Sequence, residues 1–184
     1  MDQHLSEHDI DDEIVSKLYT QSYGAKDKIE GVMLIALKNF VGEDGDLSEV
    51  LKFTESGEVE NLPGFKVAQI NRTQLSSGSI KGWHLHFRQN DVWHVLPSST
   101  LLVGLWDVRK ASPSYGKKMR LALGGRASHL LFIPKGVAHG AANNSQKDAE
   151  MLYFVDQKFD LQNPDEKRMP WDSLGKDFWQ PQRD

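Results

Sequence analysis

The sequence predicts an all-β fold, an antiparallel sandwich or barrel, on three observations. Short apolar or alternating runs recur from residue 32 to residue 155, Gly, Asn, Asp, Pro and Ser punctuate the gaps between them, and the strand–helix–strand alternation of a parallel sheet is missing. The runs are 32–37, 50–53, 66–73, 81–87, 92–96, 100–109, 119–123, 129–133 and 151–155. With 39% hydrophobic and 26% charged residues in a chain of 184, one domain can bury a substantial core. We assign residues 27–184 to that domain and residues 1–26 to an N-terminal extension.

In the extension, Ile10, Ile14, Val15 and Leu18 recur at spacings of three and four, and Asp9, Asp11, Asp12 and Glu13 load the first turn with the negative charge a helix N-terminus favours. One short amphipathic helix over 9–19 is expected, followed by a linker at Ser22, Tyr23, Gly24, Ala25, Lys26 and Asp27. The acidic start lacks the basic flank and apolar centre of a signal peptide, and run 32–37 is far below the roughly 18–20 residues of a membrane helix, so a cytoplasmic protein is expected. A net charge of −4 and a pI near 6.0 argue against a general polyanion binder. With no cysteine, disulfides, thiolate nucleophiles and Cys-ligated zinc are excluded, and any metal must sit on His and carboxylates.

The first informative stretch is Gly82-Trp83-His84-Leu85-His86. Successive side chains of a strand point to opposite faces, so His84 and His86 share one face while Trp83, Leu85 and Phe87 share the other. His94 reads as a half-exposed strand residue, with Trp93 and Val95 filling the opposite face, and His4, His8 and His129 as solvent or loop residues. Trp83, Trp93 and Trp106 are expected in the core.

The second stretch is Ile133-Pro134-Lys135-Gly136-Val137-Ala138-His139-Gly140, with Asn143 beyond it. Pro fixes φ and Gly permits positive φ, so Pro134 and Gly136 build a tight turn that delivers His139 into the following strand. After Val155 the chain turns polar at residues 163–168, then carries Trp171, Phe178 and Trp179. A disordered tail rarely holds such aromatics, so the tail is expected to pack back on the barrel, where it could line a site.

The Pro-x-Gly-x-x-His-x-x-x-Asn spacing, preceded by a strand bearing His-x-His, resembles the two-part signature of the cupins, with Asp91 standing where a Glu is usual. That resemblance implies a double-stranded β-helix, the cupin jelly roll. A narrower resemblance covers about residues 29–179. Gln69-Ile70-Asn71-Arg72-Thr73, Lys81-Gly82-Trp83-His84, the run from Asp107-Val108-Arg109 through Ser112-Pro113-Ser114-Tyr115-Gly116, and residues 133–140 occur in the order and nearly the spacing of the dTDP-4-dehydrorhamnose 3,5-epimerases.

Family resemblance implies His84 as general base, Asp177 as the carboxylate orienting it, His139 as the second histidine, and Glu49, Gln69 and Asn71 as ligand contacts. It further implies a nucleotide-sugar substrate with a ketone at C4, no cofactor and a homodimer. The chemistry suits an imidazole: abstracting a proton α to a carbonyl at neutral pH wants a base with a pKa near 7, and a carboxylate partner steadies the imidazolium that forms.

The departures carry information too. Asp44 stands where the family has a phosphate-binding Arg, and Lys81 where it has the Arg before Gly82, keeping charge but losing bidentate geometry. Lys81, Arg72, Lys117 and Lys118 are the candidate phosphate-binding cations. The family's Lys about ten residues after the base falls on Val92 or His94, and its catalytic Tyr on Lys158 or Phe159, leaving Tyr153, His86 or water to supply the acid. His86 stands where the family has Gln. With His84, His139 and Asp91 or His94 it offers a divalent-metal ligand set, so a metal-dependent cupin is one alternative and a non-catalytic sugar-binding cupin the other.

Overall fold

The computed structural model describes residues 4–20, 28–125 and 127–181. The expected linker at Ser22–Asp27, and with it the boundary between extension and domain, lies outside the described residues. Twelve strands follow one short helix α1 (Asp12–Val15): β1 (Met33–Ala36), β2 (Asn39–Gly42), β3 (Gly45–Ser48), β4 (Gln69–Leu75), β5 (Ile80–Leu85), β6 (Asp91–Val95), β7 (Thr100–Asp107), β8 (Lys118–Gly124), β9 (His129–Ile133), β10 (Val137–Ala142), β11 (Ala149–Val155) and β12 (Lys167–Arg168). The helix is much shorter than the expected 9–19. Asp11 caps it by accepting from the Glu13 amide, and none of its residues is buried, because its apolar stripe has no surface to pack on.

The strands form two five-stranded antiparallel sheets, β1-β9-β6-β11-β4 and β12-β5-β10-β7-β8, with β2-β3 as a separate hairpin. This is the expected jelly roll. Between the sheets lie Leu75, Trp93, Val95, Leu101, Val103, Leu105, Leu131, Ile133, Val137 and Met151. Each sheet is covered on its outside as well. Val59, Leu62 and Phe65 pack with Val92, Leu130 and Phe154 over the first sheet, and the C-terminal tail covers the second. Central strands buried on both faces lose the polar alternation of a half-exposed sheet, which is why β6 and β10 are buried at every position. The same double cover corrects the reading of His94, which is 1% exposed, its ring Nδ1 bonded to the His129 carbonyl at 3.0 Å.

The tail packs as expected. Trp179 is 1% exposed and packs tilted against Trp83, ring centroids 4.8 Å apart. It needs a bed without side chains: a Cβ on Gly104 would lie 2.5 Å from Phe178 Cε1 and 2.9 Å from Trp179 Cη2, and one on Gly140 would lie 2.9 Å from Trp179 Cη2. The tail lies behind the second sheet and does not line the cavity described below. Two strand readings are corrected. Residues 50–53 form a loop with only a Phe53–Val59 bridge, and the β2–β3 hairpin was unread, although its Asp44-Gly45 pair is a turn signal.

Candidate active site

The site begins with an irregularity in β5. His84 pairs with His139 of β10, yet Lys81 pairs with Ala141, so β5 spends one residue more than its partner between these two points. Gly82 and Trp83 both face the tail, and Lys81 therefore projects into the same cavity as His84. Simple alternation would have put Lys81 on the side of Trp83.

Around the cavity, of about 690 Å³, strict alternation holds elsewhere: Gln69, Asn71, Thr73 and Leu75 from β4, Asp91 and Trp93 from β6, His139 and Ala141 from β10, and Met151, Tyr153 and Val155 from β11 all face inward. The mouth is built by residues 157–168, including Lys158, Phe159, Asp165, Glu166 and Arg168. Asp165 fastens this segment, its carboxylate accepting the amides of Phe87 at 3.2 Å, Arg88 at 2.8 Å and Gln89 at 3.0 Å. The two-residue β12 then runs along β5, with Arg168 opposite His84.

The carboxylate of Glu166 consequently reaches His84, Oε1 to Nδ1, at 3.2 Å. Burial pushes the His84 pKa down from 6.5, against the opposing charge of Glu166, which keeps the ring a free base at neutral pH. Burial alone would raise Glu166, but its hydrogen bond from Arg168 and the neighbouring His84 outweigh that and hold it ionised. His139 stacks parallel to His84 with ring centroids 6.0 Å apart, donates Nδ1–H to the Val137 carbonyl at 3.0 Å, and is pushed down to about 4 by burial. Asp91 accepts from Gln89 Nε2 at 2.7 Å and Trp93 Nε1 at 3.1 Å. On the facing sheet, Gln69 Nε2 donates to Asn71 Oδ1 at 2.7 Å, and Lys81 Nζ to Thr73 Oγ1 at 2.5 Å. The Tyr153 phenol is raised by burial and by the charges of Asp91 and Glu166, so it stays protonated and able to donate.

Of the residues read from the sequence, His84, His86, His139, Gln69, Asn71, Lys81 and Asp91 line this cavity together. Glu49 and Asp177 do not. Glu49 is half-exposed on the outside, paired with Lys52 at 2.7 Å. Asp177 is exposed on the final 3-10 turn, its backbone carbonyl accepting from Gln180 at 3.1 Å, and the carboxylate beside His84 is Glu166. The alternative metal set also contracts: the donor atoms of His86, Asp91 and His139 lie within 4.8 Å of one another, and His84 is not among them. Glu166 was missed because β12 is two residues long, too short to show a period. Lys158 and Phe159, where the resemblance expects Tyr, both face the cavity.

A protein-family model described as dTDP-4-dehydrorhamnose 3,5-epimerase matches residues 26–178. The chain is 32% identical over 144 residues to the spore coat polysaccharide biosynthesis protein SpsL of Bacillus subtilis (strain 168), across 78% of this chain and 91% of that one. It is 29% identical over 133 residues to the dTDP-4-dehydrorhamnose 3,5-epimerase of Shigella flexneri, across 70% and 71% of the two chains. Among solved structures it is similar to dTDP-4-dehydrorhamnose 3,5-epimerase from Sulfolobus tokodaii, with a TM-score of 0.64 and 27% identity over 82% of this chain and 81% of that one. It shares its fold with NovW, a 4-keto-6-deoxy sugar epimerase from the novobiocin gene cluster of Streptomyces spheroides, with a TM-score of 0.69 at 21% identity over 83% and 76%.

Proposed function

The chain belongs to the dTDP-4-dehydrorhamnose 3,5-epimerase family, and from that premise we propose that His84 is the base which removes a proton α to the C4 ketone of a 4-keto-6-deoxyhexose nucleotide. It is an isomerase of the sugar-nucleotide epimerase type. The observation that carries the assignment of roles is the 3.2 Å contact between His84 Nδ1 and Glu166 on the wall of the cavity. A carboxylate beside Nδ1 favours the tautomer with its hydrogen there, leaves Nε2 as the basic atom and stabilises the imidazolium once the proton arrives.

The Lys81 ammonium supplies a donor toward the enolate oxygen, while neutral His139, its one N–H spent on the Val137 carbonyl, lines the same cavity, whose Trp93, Met151 and Val155 walls limit water. Gln69, Asn71 and His86 contact the sugar. Tyr153, protonated and on the facing sheet, is the donor that returns a proton to the opposite face of the ring. This chemistry runs without a cofactor.

We assign the active form as a cytoplasmic homodimer. Support for the dimer is the β2–β3 hairpin, which leaves Val41 and Leu47 largely exposed and Phe40 partly so. Support for the compartment is the substrate class, since a nucleoside diphosphate sugar is a polyanion that does not cross a membrane unaided.

The test is solvent deuterium incorporation into dTDP-4-keto-6-deoxyglucose. Wild-type protein is expected to label the carbon α to the ketone, and His84→Ala to abolish labelling. Undiminished exchange by that variant overturns the assignment.

A further inference from the structure

Glu166 lies between two fastenings of unlike kind. On its C-terminal side the backbone holds the chain: Lys167 and Arg168 pair with Leu85 and His84, and Met169 donates its amide to the Trp83 carbonyl at 3.1 Å while accepting the Trp83 amide at 3.3 Å. On its N-terminal side the ladder stops, and the hold passes to the side chain of Asp165.

That side chain grips the turn after β5. Its Oδ1 accepts the Phe87 amide at 3.2 Å, and its Oδ2 accepts the Arg88 amide at 2.8 Å and the Gln89 amide at 3.0 Å. Successive N–H groups converging on one carboxylate form an anion nest. Burial alone would raise the Asp165 pKa, but these bonds outweigh it and keep the group ionised. The Asp165 carbonyl lies 3.2 Å from His86 Nδ1, and since a carbonyl oxygen only accepts, the ring donates there. The turn so gripped is fixed in its own right, because the His86 carbonyl accepts the Gly136 amide at 2.8 Å, from the turn that delivers His139.

We propose that Asp165 is a positioning residue of the proton-transfer site: its carboxylate, anchored on the amides of Phe87, Arg88 and Gln89, sets the approach of Glu166 to His84, and its carbonyl sets the ring of His86. This role rests on the assignment of His84 as the base. Asp165 moves no proton itself and acts through its neighbour. A two-residue strand is too short to hold its own end, so without the anchor Glu166 drifts with the mouth segment. A displacement of about 1 Å in a catalytic pair costs on the order of 100-fold in rate.

The experiment uses the full chain and solvent deuterium exchange into dTDP-4-keto-6-deoxyglucose, with thermal melts of every variant. Asp165→Ala is expected to slow exchange roughly 10- to 100-fold. Asp156→Ala frees the other end of the same segment, where Asp156 accepts the Asn90 amide at 2.8 Å and its side-chain Nδ2 at 2.6 Å, and is expected to lower the melting temperature while leaving exchange within about twofold. In a Glu166→Gln background, Asp165→Ala is expected to cost less than about threefold more, because the group it positions is already gone. Asp165→Asn, with its carbonyl oxygen in the place of Oδ2, keeps the bonds to Arg88 and Gln89 and is expected to recover most of the loss. The ¹⁵N shifts of the His84 ring give a readout without turnover: the hydrogen sits on Nδ1 in wild-type protein and is expected to spread over both nitrogens in Asp165→Ala. Losses that add in the double variant, an equal loss in Asp156→Ala, or an unaltered His84 tautomer overturns the proposal. Failure of the His84 assignment looks different: exchange then survives in His84→Ala, and the tautomer alone decides the role of Asp165. If Asp165→Ala does not melt cooperatively, Asp165→Asn takes its place in both backgrounds, with a loss of about threefold that is expected to vanish beside Glu166→Gln.

Discussion

Glu166 holds a carboxylate oxygen 3.2 Å from Nδ1 of His84, and it does so from a two-residue strand that Asp165 pins to the turn after β5. Because the carboxylate fixes the tautomer and steadies the charged ring, Glu166→Gln is expected to slow deuterium exchange roughly 100-fold or more while the protein still folds. Asp177→Asn is expected to leave exchange unchanged, since Asp177 is exposed on the far turn. Equal losses in the two variants, measured by mass spectrometry of the product, would remove Glu166 from its assigned role.

That contrast shows where the sequence was legible. His84 and His86 were readable because alternation is a local property of a strand, and His139 because Pro134 and Gly136 announce the turn before it. Glu166 was not, since its position is set by the Asp165 anchor 77 residues away from Arg88 in the chain, a contact no local period reveals. Lys81 was a candidate only by its place before Gly82 in the family resemblance, and strand alternation would have turned it away; the extra residue in β5 brings it to the cavity. The outer cover of both sheets, which buries His94, likewise depends on distant segments.

The glycine bed predicts a stability effect linked to the site. Gly104→Ala forces a Cβ within 2.5 Å of Phe178 Cε1, so it is expected to destabilise by about 1–3 kcal/mol. Trp179→Ala, which empties the bed, is expected to cost about 3–5 kcal/mol. Thermal melts read both. Since Trp179 packs against Gly82 and Trp83, exchange activity should fall in each variant even below its melting temperature.

Asp107 predicts the acid limb of stability. Its fully buried carboxylate accepts from Arg109 Nε at 2.9 Å, Ser112 Oγ at 2.6 Å and Ser114 Oγ at 2.6 Å. Burial pushes its pKa up, but these bonds outweigh it and hold the group well below the usual 3.8. A depressed folded pKa gives stability that is complete above the unfolded value and is lost as pH falls toward the folded one. Asp107→Asn is expected to cost about 1–3 kcal/mol at neutral pH, because it removes the carboxylate that Arg109, Ser112 and Ser114 share, and to flatten the decline below about pH 4. Urea unfolding at a series of pH values checks both; an unchanged acid limb in the variant would assign that limb to other carboxylates.

The hairpin predicts the assembly. Val41 is 81% exposed and Leu47 62%. If a second copy covers them, Val41→Asp and Leu47→Asp should each shift the sedimentation coefficient from dimer to monomer at micromolar concentration. A wild-type protein that already sediments as a monomer rejects the dimer.

Lys81 predicts a split between binding and chemistry. Its ammonium enters the cavity beside His84, where the extra residue of β5 turns it, and there it donates to Thr73 Oγ1. If it holds an anionic part of the sugar nucleotide, the interaction is present before and during proton transfer alike. Lys81→Ala should then raise KM roughly tenfold or more, the worth of one charge-assisted hydrogen bond, with kcat little changed. If it instead supports the enolate oxygen, charge develops there only in the transition state, and kcat falls while KM holds. Lys81→Arg separates the two further, because its planar fork suits a phosphate but places no single donor at the ketone oxygen. Recovery of KM in that variant assigns Lys81 to the diphosphate; loss of kcat in it assigns Lys81 to the reacting centre.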